Sequence, residues 1–225
     1  MVKYAVRYTI YPWKTIAGIH LPIKLKFGYS VLRFIDNGTY EISEAQIVLS
    51  KLQQGDTVLE LGSGIGFISA LCAKQIGSTS IHTYEANPLL MPLIKKLYLK
   101  NKVSPYFSNA LLTADEGGFF VSGKNFLAST QKESTETRYD RVKVPVLNLN
   151  RVIYNIKPTY LIMDIEGSEY DVFKIIDFQT IQKVQFELHE RLLDKAKVDF
   201  IFTKLQEEGF KPDSISDSRN FYFSR

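Results

Sequence analysis

Two features of this chain have the residue types and spacing for chemistry. The first is VLELGSGIGFISA (58–70), with Gly62, Gly64 and Gly66 spaced GxGxG. The second is a set of side chains two apart: Asp164 with Glu166 in YLIMDIEGSEY, and Glu187 with His189 in VQFELHE. Residues two apart on an extended strand point to the same side. In an open parallel sheet, ligands bind beyond the carboxyl ends of the strands. Both acid-bearing segments would therefore deliver their side chains to one place. Such a group could take a proton from a hydroxyl as a general base, with Asp164, His189 and Glu166 as the catalytic residues and His189 suited by its near-neutral pKa. Alternatively, Asp164, Glu166 and Glu187 could hold a hard divalent ion such as magnesium. The first reading is the one carried forward, with no metal assigned. Glu169 sits where a first-turn acid would complement a helix dipole.

The glycine loop narrows the ligand. A dinucleotide fingerprint places its third glycine one residue later, where this chain has Phe67, and no GxxxxGK phosphate loop is present. Instead Glu60 lies two residues before the loop, suited to an ammonium group directly or through water. Glu85 lies 19 residues beyond Gly66, suited to the two hydroxyls of a ribose. An ammonium and a ribose without a pyrophosphate describe S-adenosylmethionine better than NAD.

These residues need a scaffold, and the pattern supplies one. TVLEL (57–61), STSIHTYEA (78–86), SPYFSNALL, PTYLIMD (158–164) and IQKVQFELH (181–189) read as strands. Between them, helices are expected from Ser43, over Phe67–Gln75, from Pro88 to Lys100 with a start or bend at Pro92, from Ser168, and from Lys195 to Glu208. GFKPDSIS and NFYFSR read as an antiparallel pair at one end of a mostly parallel sheet. The expected class is thus α/β. Residues 1–42 form an N-terminal extension of short strands and turns on the acceptor side, and residues 43–225 form the ligand-binding domain. Residues 113–141 read as a long loop, marked by Gly117-Gly118 and a polar run.

Taken together, VLELGSGIGFISA, HTYEANP, YLIMDIEGSEYDVFKII and VQFELHE resemble the FkbM family of class I, Rossmann-like methyltransferases. The resemblance covers about residues 40 to 225 and implies a seven-stranded sheet with an antiparallel C-terminal hairpin. It also implies S-adenosylmethionine as cofactor and methylation of oxygen on a small molecule or sugar. It would place Gly62, Ser63, Gly64 and Gly66 around the methionine part and Glu85 on the ribose. Ala86 and Asn87 would lie beside the adenosine, and Asn109 and Ala110 against the adenine. Asp164 would reach the cofactor's amino end or the acceptor. The chain departs from the family in having Ser63-Gly64 where many members have Ala-Asn, and in lacking a glycine within DVFKIIDF.

Composition closes off other classes. With 45% apolar and 23% charged residues, the chain is neither disordered nor fibrous. A single cysteine, Cys72, excludes an internal disulfide and a multi-cysteine zinc site, and three histidines make an imidazole-rich one improbable. The net charge of +4 is small, and Lys95, Lys96, Lys100 and Lys102 read as helix surface. The acceptor is therefore expected to be a small-molecule or glycan hydroxyl, with nucleic acid unlikely; DIEG also lacks the Asn/Asp-Pro-Pro-aromatic motif of amino-group transfer to nucleic acids. The alternatives are a protein or RNA methyltransferase, or a non-catalytic domain keeping the fold. His20, His82 and Cys72 read as structural, while Tyr11, Trp13, Tyr29 and Tyr40 could line an acceptor pocket. The start lacks a signal-peptide pattern and no apolar run reaches membrane-span length, so a cytoplasmic location is expected. Nothing in the pattern sets the oligomeric state.

Overall fold

The computed structural model describes residues 13–23, 28–114, 117–123, 129–130 and 141–225. An antiparallel hairpin, β1 (Trp13–Ile16) and β2 (Ile19–Pro22), precedes helices α1 (Gly28–Asn37) and α2 (Ile42–Lys51). Strands and helices then alternate: β3 (Val58–Leu61), α3 (Phe67–Ile76), β4 (Ile81–Glu85), α4 (Met91–Asn101) and β5 (Tyr106–Asn109). A small second sheet follows, from β6 (Leu111–Thr113), β7 (Gly117–Gly123), β8 (Ser129–Thr130) and β9 (Arg141–Asn148). The chain closes with α5 (Leu149–Ile156), β10 (Tyr160–Met163), α6 (Glu169–Ile175), β11 (Lys183–Glu187), α7 (Lys195–Glu207), β12 (Lys211–Pro212) and β13 (Asn220–Ser224).

The main sheet has seven strands in the order β12-β13-β11-β10-β3-β4-β5. The five consecutive strands β11, β10, β3, β4 and β5 run parallel, and β13 lies antiparallel to both β11 and β12. The expected α/β class and the antiparallel C-terminal hairpin are therefore both present. All four residues of β3 and of β10 are buried, because helices cover both sheet faces and the strands carry apolar side chains on both. Their alternation divides two cores. Val58, Tyr160 and Ile162 pack with the β1–β2 hairpin and α2 to α4, while Leu59, Leu61, Leu161 and Met163 pack with α5, α6 and α7. From β3 the chain steps outward through β4 to β5, then returns to lay β10 on the other side of β3. That reversal opens a crevice beyond the carboxyl ends of β3 and β10.

The amino ends of the same strands are tied shut. Asp56 accepts hydrogen bonds from Thr159 Oγ1 (2.9 Å), the Gln53 amide (2.8 Å) and Lys183 Nζ (2.7 Å). Thr159 Oγ1 in turn accepts from the Thr57 amide at 3.0 Å. Three neighbouring strands are thereby joined through one buried carboxylate whose partners include a cation.

Three stretches differ from the sequence expectation. Residues 28–37 are helical rather than strand-like, with Leu32 and Ile35 buried at helical spacing and Phe34 outside. The stretch read as a loop contains β7, which pairs with β9 from Gly117↔Val146 to Ser122↔Arg141; Gly117-Gly118 and Pro145 hid an alternating strand pattern. Helix α5 lies in a stretch with no expected element; Leu149 and Ile153 are buried four apart and Asn148 caps it by accepting from the Arg151 amide. Pro92 lies in the first turn of α4, where its missing N–H costs no hydrogen bond; a separate 3-10 turn covers Pro88–Leu90.

Candidate active site

A cleft of about 400 Å³ opens at the carboxyl ends of the strands. Its floor is the glycine loop. The Gly62 amide donates to the Tyr84 carbonyl (2.9 Å) and the Gly66 amide to the Ser63 carbonyl (2.7 Å), which folds the loop into a tight turn before α3. A side chain at Gly66 would press on Tyr98 and Ile94 of α4, at 3.0 and 3.3 Å. At Gly64, by contrast, the nearest atoms are Glu41 Oε1 and Tyr40 Oη at 3.8 Å, so the backbone there faces open space.

Glu85 braces this loop from the end of β4. Its Oε2 accepts from the Gly64 amide (2.9 Å) and its Oε1 from the Asn87 amide (2.7 Å). Burial pushes this carboxyl up to about 7, against the lowering effect of those amides. Glu85, Ala86 and Ala110 line the cleft, with Tyr84, Leu111 and Leu112 as apolar neighbours. Asn109 stands behind the wall, donating from Nδ2 to the Glu85 and Ala86 carbonyls (2.8 and 3.0 Å). Glu60 is likewise behind the loop, buried, accepting from the Thr83 hydroxyl and pushed up to about 7 by burial. With Ser63, whose Oγ has no hydrogen-bond partner, it lines a side cavity of about 20 Å³ that adjoins Gly62 and Asp164.

The acids of the second motif crowd one rim. His189 Nδ1 is 2.8 Å from Oε1 of Glu169, a fully buried carboxylate that also accepts from the Gly167 amide at 3.0 Å. On its other side, His189 Nε2 lies 3.4 Å from Glu166 Oε2 and 3.8 Å from Asp164 Oδ1. Burial alone would lower the His189 pKa, but Glu169, Asp164 and Glu166 outweigh it and push it up to about 9. Asp164 is raised by burial, then by Glu187 and Glu166. Glu187, which lines the cleft with Asp164, lies 3.3 Å from Arg219 and is hydrogen-bonded to Glu44, whose carboxyl burial and Glu187 push up to about 7.

The sequence pattern did not single out Glu41, Glu44 or Arg219, which also line the cleft. Their approach depends on how α2 and the segment before β13 pack, and no spacing within either segment signals it. Of the aromatics suggested for the acceptor side, Tyr40 lines the cleft, whereas Trp13 lies under Lys96 and Lys100 of α4, 5.8 and 5.5 Å from its ring centre. Tyr11 and the side chain of Tyr29 are outside the described residues. His82 packs against Tyr106 and His20 bonds to Thr15, and neither lines the cleft. No helix among the described residues is long and apolar enough to cross a membrane.

Comparison with known proteins agrees with this fold. The family model described as "Methyltransferase FkbM domain" matches residues 61–212. The ribosomal protein L11 methyltransferases of Bacillus velezensis and Bacillus subtilis are each 28% identical over 151 residues, covering 63% of this chain and 47% of theirs. The chain thus spans about half the length of these relatives. A methyltransferase from Pyrococcus furiosus shares the fold at a TM-score of 0.52 and 13% identity, covering 99% of this chain and 95% of that one. A Pyrococcus abyssi tRNA (uracil-54, C5)-methyltransferase in complex with S-adenosyl-L-homocysteine does so at 0.50 and 11%, covering 94% of this chain and 42% of that one. The expectation that nucleic acid is an unlikely partner is corrected by this last match: the architecture serves a tRNA methyltransferase. A small net charge does not fix how basic residues are distributed, and the missing amino-transfer motif has no bearing on a carbon acceptor such as C5.

Proposed function

The chain belongs to the FkbM methyltransferase family, and on that footing we propose that it methylates a protein, using S-adenosylmethionine. The observation that carries the choice of acceptor is the size and shape of the cleft. At about 400 Å³ it falls at the low end of small-ligand sites, with room for one nucleoside-sized molecule. An acceptor must then be presented at the mouth, where Phe34 is exposed and Thr39 and Tyr40 form the edge. A side chain projecting from a folded partner suits that arrangement better than an enclosed small molecule. The curated relatives, named for methylation of a ribosomal protein, support the same reading.

The residues present fit the cofactor. The open backbone at Gly64 and the unpartnered oxygens of Ser63 and Asp164 leave polar capacity unused beside the loop. When bound, the cofactor supplies an activated methyl group. Glu85 would receive the ribose hydroxyls, while Tyr84, Ala86, Ala110 and Leu111 would enclose the base and Asn109 holds that wall in place. Glu60, behind the loop beside Gly62 and Ser63, would attract the cationic amino end. Asp164 and Glu166 are placed to take the proton that the acceptor loses. His189, protonated at neutral pH when its pKa is near 9, is then an electrostatic partner to these acids rather than the base. The remaining contribution is alignment, which the braced loop provides.

The test is methyl transfer from labelled S-adenosylmethionine to a cell extract, read after protease or ribonuclease digestion. Label removed by protease alone is expected, and it should vanish with Asp164→Asn. Ribonuclease-sensitive label would move the acceptor to RNA, and label confined to small molecules would overturn the macromolecular reading.

A further inference from the structure

Asp164 and Glu166 both approach His189 Nε2 without a direct hydrogen bond to it. His189 Nε2 stands 3.4 Å from Glu166 Oε2 and 3.8 Å from Asp164 Oδ1, beyond the 2.7–2.9 Å typical of charge-assisted hydrogen bonds. One ligand atom from each of the three residues can be chosen so that all lie within 4.8 Å of one another. Those gaps suit a coordination shell. Two atoms each about 2.1 Å from a shared ion lie about 3.0 Å apart at a right angle and about 3.8 Å apart at 130°.

Two further observations point to a ligand there. Asp164 Oδ1 is buried and has no hydrogen-bond partner, although it faces His189 Nε2. The imidazole is also held from behind: the fully buried Glu169 engages Nδ1 at 2.8 Å, leaving Nε2 directed at the two carboxylates. A carboxylate on the far nitrogen is the arrangement that orients histidines bound to metals. Glu187, the third acid that the sequence pattern offered for an ion, is turned toward Arg219 instead.

We propose that Asp164, Glu166 and His189 bind one divalent cation of the manganese type. Two carboxylates favour a hard ion, and the imidazole favours manganese over magnesium or calcium; the ion takes the place of the proton that His189 otherwise carries, which is released on binding. Asp164 and Glu166 line the cleft, so the ion's remaining positions face the space where an acceptor enters. There it can hold water or an acceptor oxygen and ease loss of that oxygen's proton. This site stands independently of whether the acceptor is a protein.

The experiment titrates the full chain with Mn²⁺ without cofactor, following free Mn²⁺ by electron paramagnetic resonance and the protein by thermal melting. One saturable site per chain is expected. Glu166→Gln and His189→Asn should each weaken it at least tenfold, while the distant Glu208→Gln leaves it unchanged. Circular dichroism checks that each variant is folded, and the half-exposed Glu166 makes its variant the safer of the two. Failure of the folded native chain to bind Mn²⁺ saturably would overturn the site, as would full-strength binding in both Glu166→Gln and His189→Asn.

Discussion

A Cβ placed on Gly62 would stand 1.9 Å from the carbonyl oxygen of Asp164, so the first glycine of the loop and the first acid of the rim are in backbone contact across β3 and β10. The contact follows from register: Leu61 lies opposite Met163, and the Asp164 amide donates to the Leu61 carbonyl at 3.0 Å. Neither strand can yield without breaking the ladder. Gly62→Ala should therefore lose about 3–5 kcal/mol of stability, since overpacking adds to the strain of a left-handed backbone. Gly64→Ala, with nothing nearer than 3.8 Å, should lose only about 1–2 kcal/mol from its left-handed conformation while cutting cofactor affinity. Urea unfolding compares the two, and equal losses would contradict this ranking.

Glu85→Ala should weaken S-adenosylhomocysteine binding by about 1–3 kcal/mol, because it removes the ribose acceptor and the carboxylate that accepts from the Gly64 amide. Ribose hydroxyls donate best to a carboxylate, so binding favours the ionised form of a group raised to about 7. Native affinity should rise with pH through 7 with release of a proton, and Glu85→Gln should abolish that release. Calorimetry in buffers of different ionisation enthalpy measures both, and an unchanged affinity in a folded Glu85→Ala chain would remove Glu85 from the ribose site.

Glu60 keeps its proton to about 7 when folded, well above its ordinary value of 4.5. A raised acid binds more protons in the native state, so its contribution to stability falls as pH rises from about 4.5 to 7. Glu60→Gln should flatten that part of the curve and be more stable than the native chain at pH 8, by about 1–3 kcal/mol. Melting temperatures across pH 4.5–8 test this. An equally steep decline in the variant would mean that Glu60 is not a source of it.

His189 has the same sign in a higher pH window. With its pKa raised from 6.5 to about 9, it stabilises the fold fully below 6.5, and that contribution is lost as pH rises toward 9. Glu169→Gln removes the charge on Nδ1 and should lower the ring's titration midpoint by about one pH unit. With a chelator present, nuclear magnetic resonance of the three histidines reads this directly. A midpoint that stays near 9 would show that Asp164 and Glu166 hold the proton without Glu169.

The main sheet was legible because its strands are buried on both faces and appear as apolar runs, as in VLEL and YLIM. The motifs ending those strands were legible for the same reason: once a strand's end is known, so is the side of the sheet that its next residues reach. Partnerships were not. The two-residue spacing gives Glu187 and His189 a common side, yet Arg219 draws one and Glu169 fixes the other, and both partners come from other elements. Glu41 escaped notice for a related reason. It precedes α2 in a left-handed conformation, φ 45°, that no residue type there advertises. The small sheet around β7 was hidden by glycine and proline, which usually mark turns.

The buried tie at Asp56 bears on how this chain can change over generations. Its hydrogen bonds hold the strands together at the end away from the cleft, without help from the acids at the rim. Substitutions among the rim residues can therefore alter what is modified while the architecture survives. Loss of Asp56 would instead take the carboxylate partner from Lys183 and loosen β3, β10 and β11, the strands it joins. Inheritance can rewrite one end of this sheet only because the other is held fixed.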